Sequence, residues 1–340
     1  MSTVAVIIVS YNSGGYLQSA INHLQHQHRQ PDEILIIDNA STDGSIDRLN
    51  LSELPQARLI CLPENTGFAK ANNIAALETQ CDWLALLNPD TEARAGWLEQ
   101  LLAAHLRHAD ASIFTTAQLD AVNSSILDGA GDAYSVVGIP WRGGFGRPAS
   151  EMPEEGECFS PCGASMMIRR DLFLEVGGFD ETFFCYCEDV DLGFRLRLRD
   201  ERCIFVPSAV VHHHGSAITG RYSDFTIRLG TRNRLRTYLQ NMPPTALALT
   251  LPGHVLATLY LYLRAIGKPY AKAMRIGLFE ALGDIGGIWK RRKEIQATRT
   301  VSSWQIMQKM SWNPLQLSRR KTHVWRSRRD RPKERQRASN

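Results

Sequence analysis

The chain predicts a doubly wound α/β sheet flanked by helices, and three observations carry that prediction. Short apolar runs recur early, at Val4 to Ser10, Glu33 to Asp38 and Trp83 to Leu87, the first of them rich in β-branched residues. Each leads through a polar loop into a helical pattern, the rhythm that right-handed strand–helix–strand crossovers require. The polar residues gather at the C-terminal ends of the strands, the edge where open α/β sheets bind ligands.

Taken in order, Val4 to Ser10 is continuously apolar, as a strand buried on both faces must be. The turn Tyr11-Asn12-Ser13-Gly14-Gly15 opens a helix from Tyr16 to His28, closed by Pro31 and Asp32. The second strand, Glu33 to Asp38, runs into the loop NASTDGS and a short helix from Ile46 to Leu51. A third strand spans Arg58 to Leu62, with a loop to Gly67 and a helix from Phe68 to Thr79. The fourth, Trp83 to Leu87, ends in Asn88-Pro89-Asp90-Thr91 before a helix from Gly96 to Arg107. From Ser112 to Pro161 the periodicity fades and glycines crowd, which predicts a long, partly mobile loop that closes over a substrate. Beyond it come a strand from Met166 to Arg169, a helix from Arg170 to Val176 and a strand from Cys203 to Pro207 that leads to His212-His213-His214.

At 340 residues with ordinary apolar and charged fractions, the chain has ample core and wholesale disorder is excluded. The net charge of +4 conceals an asymmetry. Residues 318–340 hold ten Lys or Arg against Asp330 and Glu334, so the remainder is mildly acidic with a basic appendage. The seven cysteines are odd in number and scattered, as expected of reduced thiols. Cys158, Cys162, Cys185 and Cys187 lack the paired CxxC of a zinc site and read as core filling. The N-terminal apolar run lacks a basic leader and reads as the first strand, not a signal peptide.

The chemistry-bearing residues follow the strand ends. Ser10-Tyr11-Asn12, Asp38, Asn65 and Asn88-Pro89-Asp90 converge on one edge, which favours a nucleotide-type pocket. Neither GxGxxG nor GxxxxGK[ST] is present, so phosphate charge must be met by a metal. Asp90 is the best-placed carboxylate for Mg²⁺ or Mn²⁺, its competing role being an N-cap for the next helix. Among the three histidines a strand can aim His213 alone, or His212 with His214, into one site. In FFCYCEDVDLGFR (183–195), Glu188, Asp189 and Asp191 sit amid apolar residues at a helix start, with alternating Arg195, Arg197 and Arg199 giving a basic side. Glu188 and Asp191 suit capping and arginine pairing; Asp189 is the acid expected to do chemistry.

Together these stretches resemble the inverting family 2 glycosyltransferases of the GT-A fold, close to bacterial rhamnosyltransferase-like members. The matching pieces are VIIVSYNSGGYL, IIDNASTDGS, ENTGFAKANN, LLNPDT, CGASMMIRRDLFLEVGGFDETFF, EDVDLGFRLR and HHGSAITG with Arg232-Asn233. The resemblance implies that Ser10, Tyr11 and Asn12 line the nucleoside pocket and Asp38 meets the pyrimidine edge. It places Asn65, Gly67, Phe68 and Asn72 beside the nucleotide and diphosphate, Asn88 with them, and Gly163 and Ala164 at the donor-sugar or acceptor-facing loop. Asp90 and His213 fall on the metal positions, and Asn88 stands where the family's Asp-x-Asp has its first acid. Asp189 falls on the catalytic base, with Glu188 beside it. Its donor would be a nucleoside-diphosphate sugar, dTDP-rhamnose above others, and its acceptor a lipid-linked or other glycan in cell-surface polysaccharide synthesis.

Residues 1–240 are then the catalytic domain, 241–310 a helical region and 311–340 a basic tail. Thr245 to Ile266 is apolar but interrupted by Pro252, His254 and Arg264, which predicts a broken or interfacial element rather than a clean span. A further helix runs from Ile276 to Trp289. With Lys290-Arg291-Arg292-Lys293 and the basic tail, it predicts a peripheral enzyme on the anionic, cytoplasmic face of the cell membrane, with no nucleic-acid partner. Two other classes compete: a sugar-1-phosphate nucleotidyltransferase, which wants a basic residue that Tyr11 to Gly15 lacks, and a non-catalytic membrane adaptor on the same fold.

Overall fold

The computed structural model describes residues 2–215 and 223–327. Ser216 to Gly220 of the HHGSAITG motif and the basic residues from Arg328 onward lie outside them. The strands are β1 (Val4–Ser10), β2 (Glu33–Asp38), β3 (Ala57–Cys61), β4 (Trp83–Leu87), β5 (Thr91–Ala93), β6 (Ile113–Asp120), β7 (Leu127–Ala130), β8 (Asp132–Tyr134), β9 (Pro140–Arg142), β10 (Gly156–Cys158), β11 (Ser165–Arg169), β12 (Cys203–His213) and β13 (Val324–Trp325). The helices are α1 (Tyr16–Gln25), α2 (Gly67–Leu77), α3 (Trp97–Arg107), α4 (Arg170–Glu175), α5 (Glu188–Leu198), α6 (Asp224–Asn241), α7 (Pro244–Ala265), α8 (Ala271–Gly283), α9 (Ile285–Ala297), α10 (Ser303–Lys309) and α11 (Pro314–Ser318).

One mixed sheet runs in the order β13-β10-β12-β6-β11-β4-β1-β2-β3, with β5 joined to β12 and β7 to β6. β1 pairs in parallel with β2 and β4, and all seven of its residues are buried, as expected for a strand covered on both faces. Val4, Val6 and Ile8 pack with α1 and α3 residues such as Leu17, Ile21 and Leu98. Ala5, Ile7 and Val9 share the opposite core with α2 and α5. A third core joins α5 to the C-terminal helices through Val190, Phe194, Tyr238 and Ile306.

Several expectations are corrected. Residues 112–161 are no loop: β6 is buried between β11 and β12, and β7 to β10 follow it. The strand expected at Cys203 to Pro207 continues to His213 because β6 and β5 flank it to its end. Ile46 to Leu51 forms turns, not a helix. The helix expected from Ile276 to Trp289 is two, α8 and α9, divided at Asp284. α7 is continuous through Pro252. Residues 311–327, expected to begin a basic tail, build α11 and edge strand β13, whose Val324 and Trp325 pair with β10.

Candidate active site

Register brings the site together at one sheet edge. Ser10 and Asp38 are partners across β1 and β2, so both carry their following loops over the same edge. β11 runs antiparallel to β4 and opposes Ser165 to Leu87, which lays Gly163 and Ala164 beside Asn88. The Asn88 amide N–H donates to the Ala164 carbonyl at 2.9 Å. β5 opposes Thr91 to His213, so His213 arrives next to Asp90.

Asp90 and His213 are both buried, and Nε2 of the histidine stands 3.4 Å from Asp90 Oδ1. The histidine Nδ1 lies 2.6 Å from Asp128 Oδ2; with Nδ1–H donating there, the neutral imidazole can offer its Nε2 lone pair to a cation on the Asp90 side. Two cis ligands of an octahedral Mg²⁺-sized ion lie about 3 Å apart, so this N,O pair fits a hard divalent cation. Asn88 Oδ1 is buried with no hydrogen-bond partner, consistent with a ligand-facing atom at the same edge. Burial pushes the Asp90 carboxyl up, but His213 and Arg142 bring it below the usual carboxylate range. Burial works against a charged His213, yet the carboxylates of Asp128 and Asp90 raise its pKa overall. Asp90 does not cap a helix: β5 follows it, and the cap position of α3 is Gly96. Of the other histidines, His214 Nε2 contacts Glu92 at 3.0 Å and His212 Nε2 contacts Arg94 at 3.4 Å, away from this pair.

Asp189 sits half-buried in the first turn of α5. Its Oδ2 accepts from the Gly163 N–H at 2.7 Å and its Oδ1 from the Val190 N–H at 2.8 Å. Burial raises its pKa, opposed by those two N–H groups and by Arg142. Glu188 is driven well up by burial and then by the Asp189 charge. Among the described residues Glu188 pairs with no arginine, and its Oε2 is buried without a hydrogen-bond partner. Asp191 does pair as expected, with Arg195 Nε at 2.8 Å and Asn241 Nδ2 at 2.7 Å. The predicted basic side of α5 is interior: Arg195 and Arg197 are buried, the latter on Glu157 at 2.7 Å.

The backbone ahead of Asp189 is strained. Phe184, Tyr186 and Cys187 have φ of 64°, 71° and 65°, a left-handed region that costs side-chain-bearing residues free energy. Asn233 of α6 holds this segment, its Nδ2 within 2.9 Å of the Phe183, Cys185 and Tyr186 carbonyls. Gly67, at φ 82°, lets the same segment approach α2; a Cβ there would stand 2.6 Å from the Phe184 carbonyl oxygen.

The nucleoside-side residues lie together but in unequal roles. Tyr11 is exposed, as a ring open to a base would be. Asn12 Oδ1 accepts from the Thr42 N–H at 2.8 Å, and the Asp38 carboxylate from the Ser41 N–H at 3.2 Å, which shapes the rim. Ser10 Oγ is buried against Ser13 Oγ at 2.9 Å. Asn65 Oδ1 accepts from the Gly67 N–H at 3.0 Å and Nδ2 of buried Asn72 donates to the Phe68 carbonyl at 2.9 Å, contacts that shape the loop. Phe68 packs on Phe179, ring centroids 5.9 Å apart.

Three site residues escaped the sequence reading: Asp128, Asp132 and Arg142, all from the segment taken for a loop. Arg142 hydrogen-bonds Asp128 and comes within 3.5 Å of His213 Nδ1. Asp132 is buried with Oδ1 unpartnered, within 4.8 Å of ligand atoms of Asp189 and Cys162. Burial and the Asp189 charge push its carboxyl well up. The alternation in IFTTAQLD and the paired acids of LDGAGD were the available signals. Cys158 and Cys162 fill core, Cys158 beside Cys203 with sulfurs 3.6 Å apart and Cys162 near Gln118, whereas Cys185 and Cys187 are only partly buried. Burial pushes the Cys162 thiol up to about 12, so it is no nucleophile at neutral pH.

A ligand edge on a mixed α/β sheet, with one half-buried carboxylate and an Asp–His pair, is an arrangement that suits a group transferase. The model of glycosyl transferase family 2 matches residues 5–177, and the chain belongs to that family. A Mycobacterium tuberculosis relative, N-acetylglucosaminyl-diphospho-decaprenol L-rhamnosyltransferase, is 32% identical over 64% of this chain and 77% of its own length. Rhamnosyltransferase WbbL of Escherichia coli is 26% identical over 62% of this chain and 83% of its own. GalNAc-T7 with UDP, GalNAc and Mn²⁺ superposes with a TM-score of 0.63 at 17% identity, over 94% of this chain and 57% of that one. Staphylococcus aureus TarS (1–349) with UDP-GlcNAc gives 0.55 at 17% identity, over 92% and 93%. At such identities the structural likeness establishes the GT-A fold.

Proposed function

We propose that this glycosyltransferase moves rhamnose or another deoxyhexose from a nucleoside-diphosphate donor, dTDP-rhamnose foremost, onto a lipid-linked or glycan acceptor with inversion. The observation that carries the reading is the placement of Asp189, clasped by Gly163, on the same sheet edge as the Asp90–His213 pair. Asp189 accepts the proton of the acceptor hydroxyl as that oxygen bonds to the anomeric carbon and the bond to the nucleoside diphosphate breaks. The Gly163 and Val190 N–H groups fix the carboxylate, and burial keeps it basic enough to take a proton. Asp90 and His213 would hold Mg²⁺ or Mn²⁺, whose charge would offset that of the departing diphosphate. Ser10, Tyr11, Asn12 and Asp38 shape the nucleoside side; Asn88 and Ala164 lie between it and the base. Names of the mycobacterial and Escherichia coli relatives support the sugar, and the former supports a lipid-linked acceptor. Family membership disfavours the nucleotidyltransferase and adaptor readings.

α7 supports action at a membrane surface. It is 22 residues long and contains an 18-residue window with a mean hydropathy of 1.5, enough by length and composition to cross a bilayer. Its buried stripe is small or polar (Ala246, Thr250, His254), whereas Leu256, Leu259 and Leu263 face outward. Exposed Phe279 and Leu282 of α8 and Trp289 of α9 extend that apolar surface. The reading is therefore a peripheral enzyme on the cytoplasmic face, α7 lying in the interface.

Incubation with a panel of nucleotide sugars, Mn²⁺ or Mg²⁺ and a prenyl-diphosphate-linked sugar should yield a product whose new linkage is inverted relative to the donor by NMR. A retained anomer, or no turnover of any deoxyhexose donor, would remove the reading. Leu256→Glu combined with Leu259→Glu should lower co-flotation with phosphatidylglycerol vesicles several-fold; unchanged binding would exclude this face as the docking surface.

A further inference from the structure

A cavity of about 410 Å³ opens between α6, α7 and α8, on the flank where the apolar helices project. Arg234, Arg264 and Lys268 line it, with Tyr270, Leu261 and Met274 supplying the remaining wall. Arg234 is buried, and its Nη1 has no hydrogen-bond partner; its Nη2 donates to Thr258 Oγ1 at 3.1 Å. Among the described residues none of the three cations is in a salt bridge, although Arg228, Arg236 and Arg291 nearby in sequence all are. A buried guanidinium without a carboxylate is unfavourable unless a ligand anion completes it. Arg228 and Arg236 on the same helix show that acids were available to α6 and were not placed here.

The cavity communicates with the base through α6. Asn233, adjacent to Arg234, holds the strained segment that precedes Asp189, and Arg234 itself lies within electrostatic reach of Cys187. On the outer side, Arg264 and Lys268 sit at the C-terminal end of α7 and just beyond it, beside exposed Leu263 and Ile266. A cation cluster whose Arg234 stands one residue along α6 from Asn233, with an exposed apolar helix on its other side, matches an amphiphile whose phosphates join a sugar to a long apolar chain.

We propose that this cavity is the acceptor subsite for the diphosphate of a prenyl-diphosphate-linked sugar, with Arg234, Arg264 and Lys268 as its anion ligands. The inference rests on the lipid-linked acceptor reading above. The sugar then points toward Asp189 while the prenyl chain leaves along the outward leucines of α7. A phospholipid headgroup offers similar phosphate chemistry but has no sugar to present to the base.

The test uses the full chain and phosphatidylcholine vesicles doped with a long-chain prenyl diphosphate, with prenyl alcohol, or with phosphatidylglycerol at matched charge. Flotation is expected to be at least ten-fold stronger on prenyl diphosphate than on prenyl alcohol, and several-fold stronger than on phosphatidylglycerol. The double variant Arg264→Gln, Lys268→Gln changes two exposed residues and should abolish that excess; Arg234→Gln should do the same. In the transfer assay the double variant should raise KM for the prenyl-diphosphate acceptor at least ten-fold and leave donor affinity within two-fold. Equal flotation on phosphatidylglycerol would mean that the cavity reads only surface charge, and unchanged flotation in the variants would likewise overturn the proposal. Wild-type enzyme that transfers only to soluble glycans would instead contradict the acceptor reading, while flotation would still decide the cavity.

Discussion

Asp189 and Asp128 illustrate how single carboxylates acquire different duties at one edge. Asp189 is gripped by two backbone N–H groups and left half-open, so a hydroxyl can reach it. Asp128 is closed off against His213 and Arg142 and reaches the metal position only through the imidazole. A carboxylate behind a metal-binding histidine fixes its tautomer and raises its basicity, and losing such a partner costs 10–100-fold in metal affinity. Asp128→Asn should therefore weaken Mn²⁺ binding to the donor-free protein by about that factor in calorimetric titration. Affinity equal to wild type would show that His213 needs no such support. Asp189 stood out in the sequence because EDVD sits among apolar residues, where a carboxylate must have a reason. Asp128 did not, because an acid followed by glycine, as in Asp128-Gly129, looks like any turn.

At the scale of elements, the account depends on how α6 steadies the turn into α5. Three left-handed residues within four positions are held by a single buried amide, that of Asn233. Asn233→Ala would leave buried carbonyls unsatisfied at about 1–3 kcal/mol each, so a loss of roughly 3 kcal/mol in urea unfolding is expected. Turnover should fall more than donor affinity, because the displaced group is the base. A variant with normal stability and turnover would deny α6 this role. The parallel strands β1, β2 and β4 were read to the residue, since continuous apolar runs bounded by polar loops have little other use. β6 to β10 were missed: they are short, glycine-punctuated or mixed in composition, and their pairing is set by distant partners such as β11 and β12. α7 was read as a broken or interfacial element, in part because Pro252 normally disrupts a helix, yet the helix continues through it.

Across the whole molecule, α5 ties the catalytic edge to the far side of the sheet through buried charge. Arg197 and Arg202 converge on Glu157 of β10, with Lys309 of α10 at 3.7 Å. Burial pushes the Glu157 carboxyl up, but Arg197 and Lys309 outweigh it and bring the value down from 4.5 to about 2. A folded-state value below the unfolded one means stability that is fully present above about pH 4.5 and lost as pH falls toward 2. The contribution is about 3 kcal/mol by linkage. Glu157→Gln should lower the thermal midpoint at pH 7, and the gap to wild type should narrow below pH 4.5; a gap independent of pH would exclude this ion cluster as its source.

The central claim is that one carboxylate, Asp189, removes the acceptor proton. It is tested most directly by transfer from a radiolabelled donor with Asp189→Asn, alongside calorimetric donor binding. An amide keeps the size and can still meet the Gly163 loop but takes up no proton. General-base loss predicts a fall in transfer of about 10²–10⁴-fold with donor affinity within two-fold of wild type. Transfer by Asp189→Asn at the wild-type rate would contradict the account.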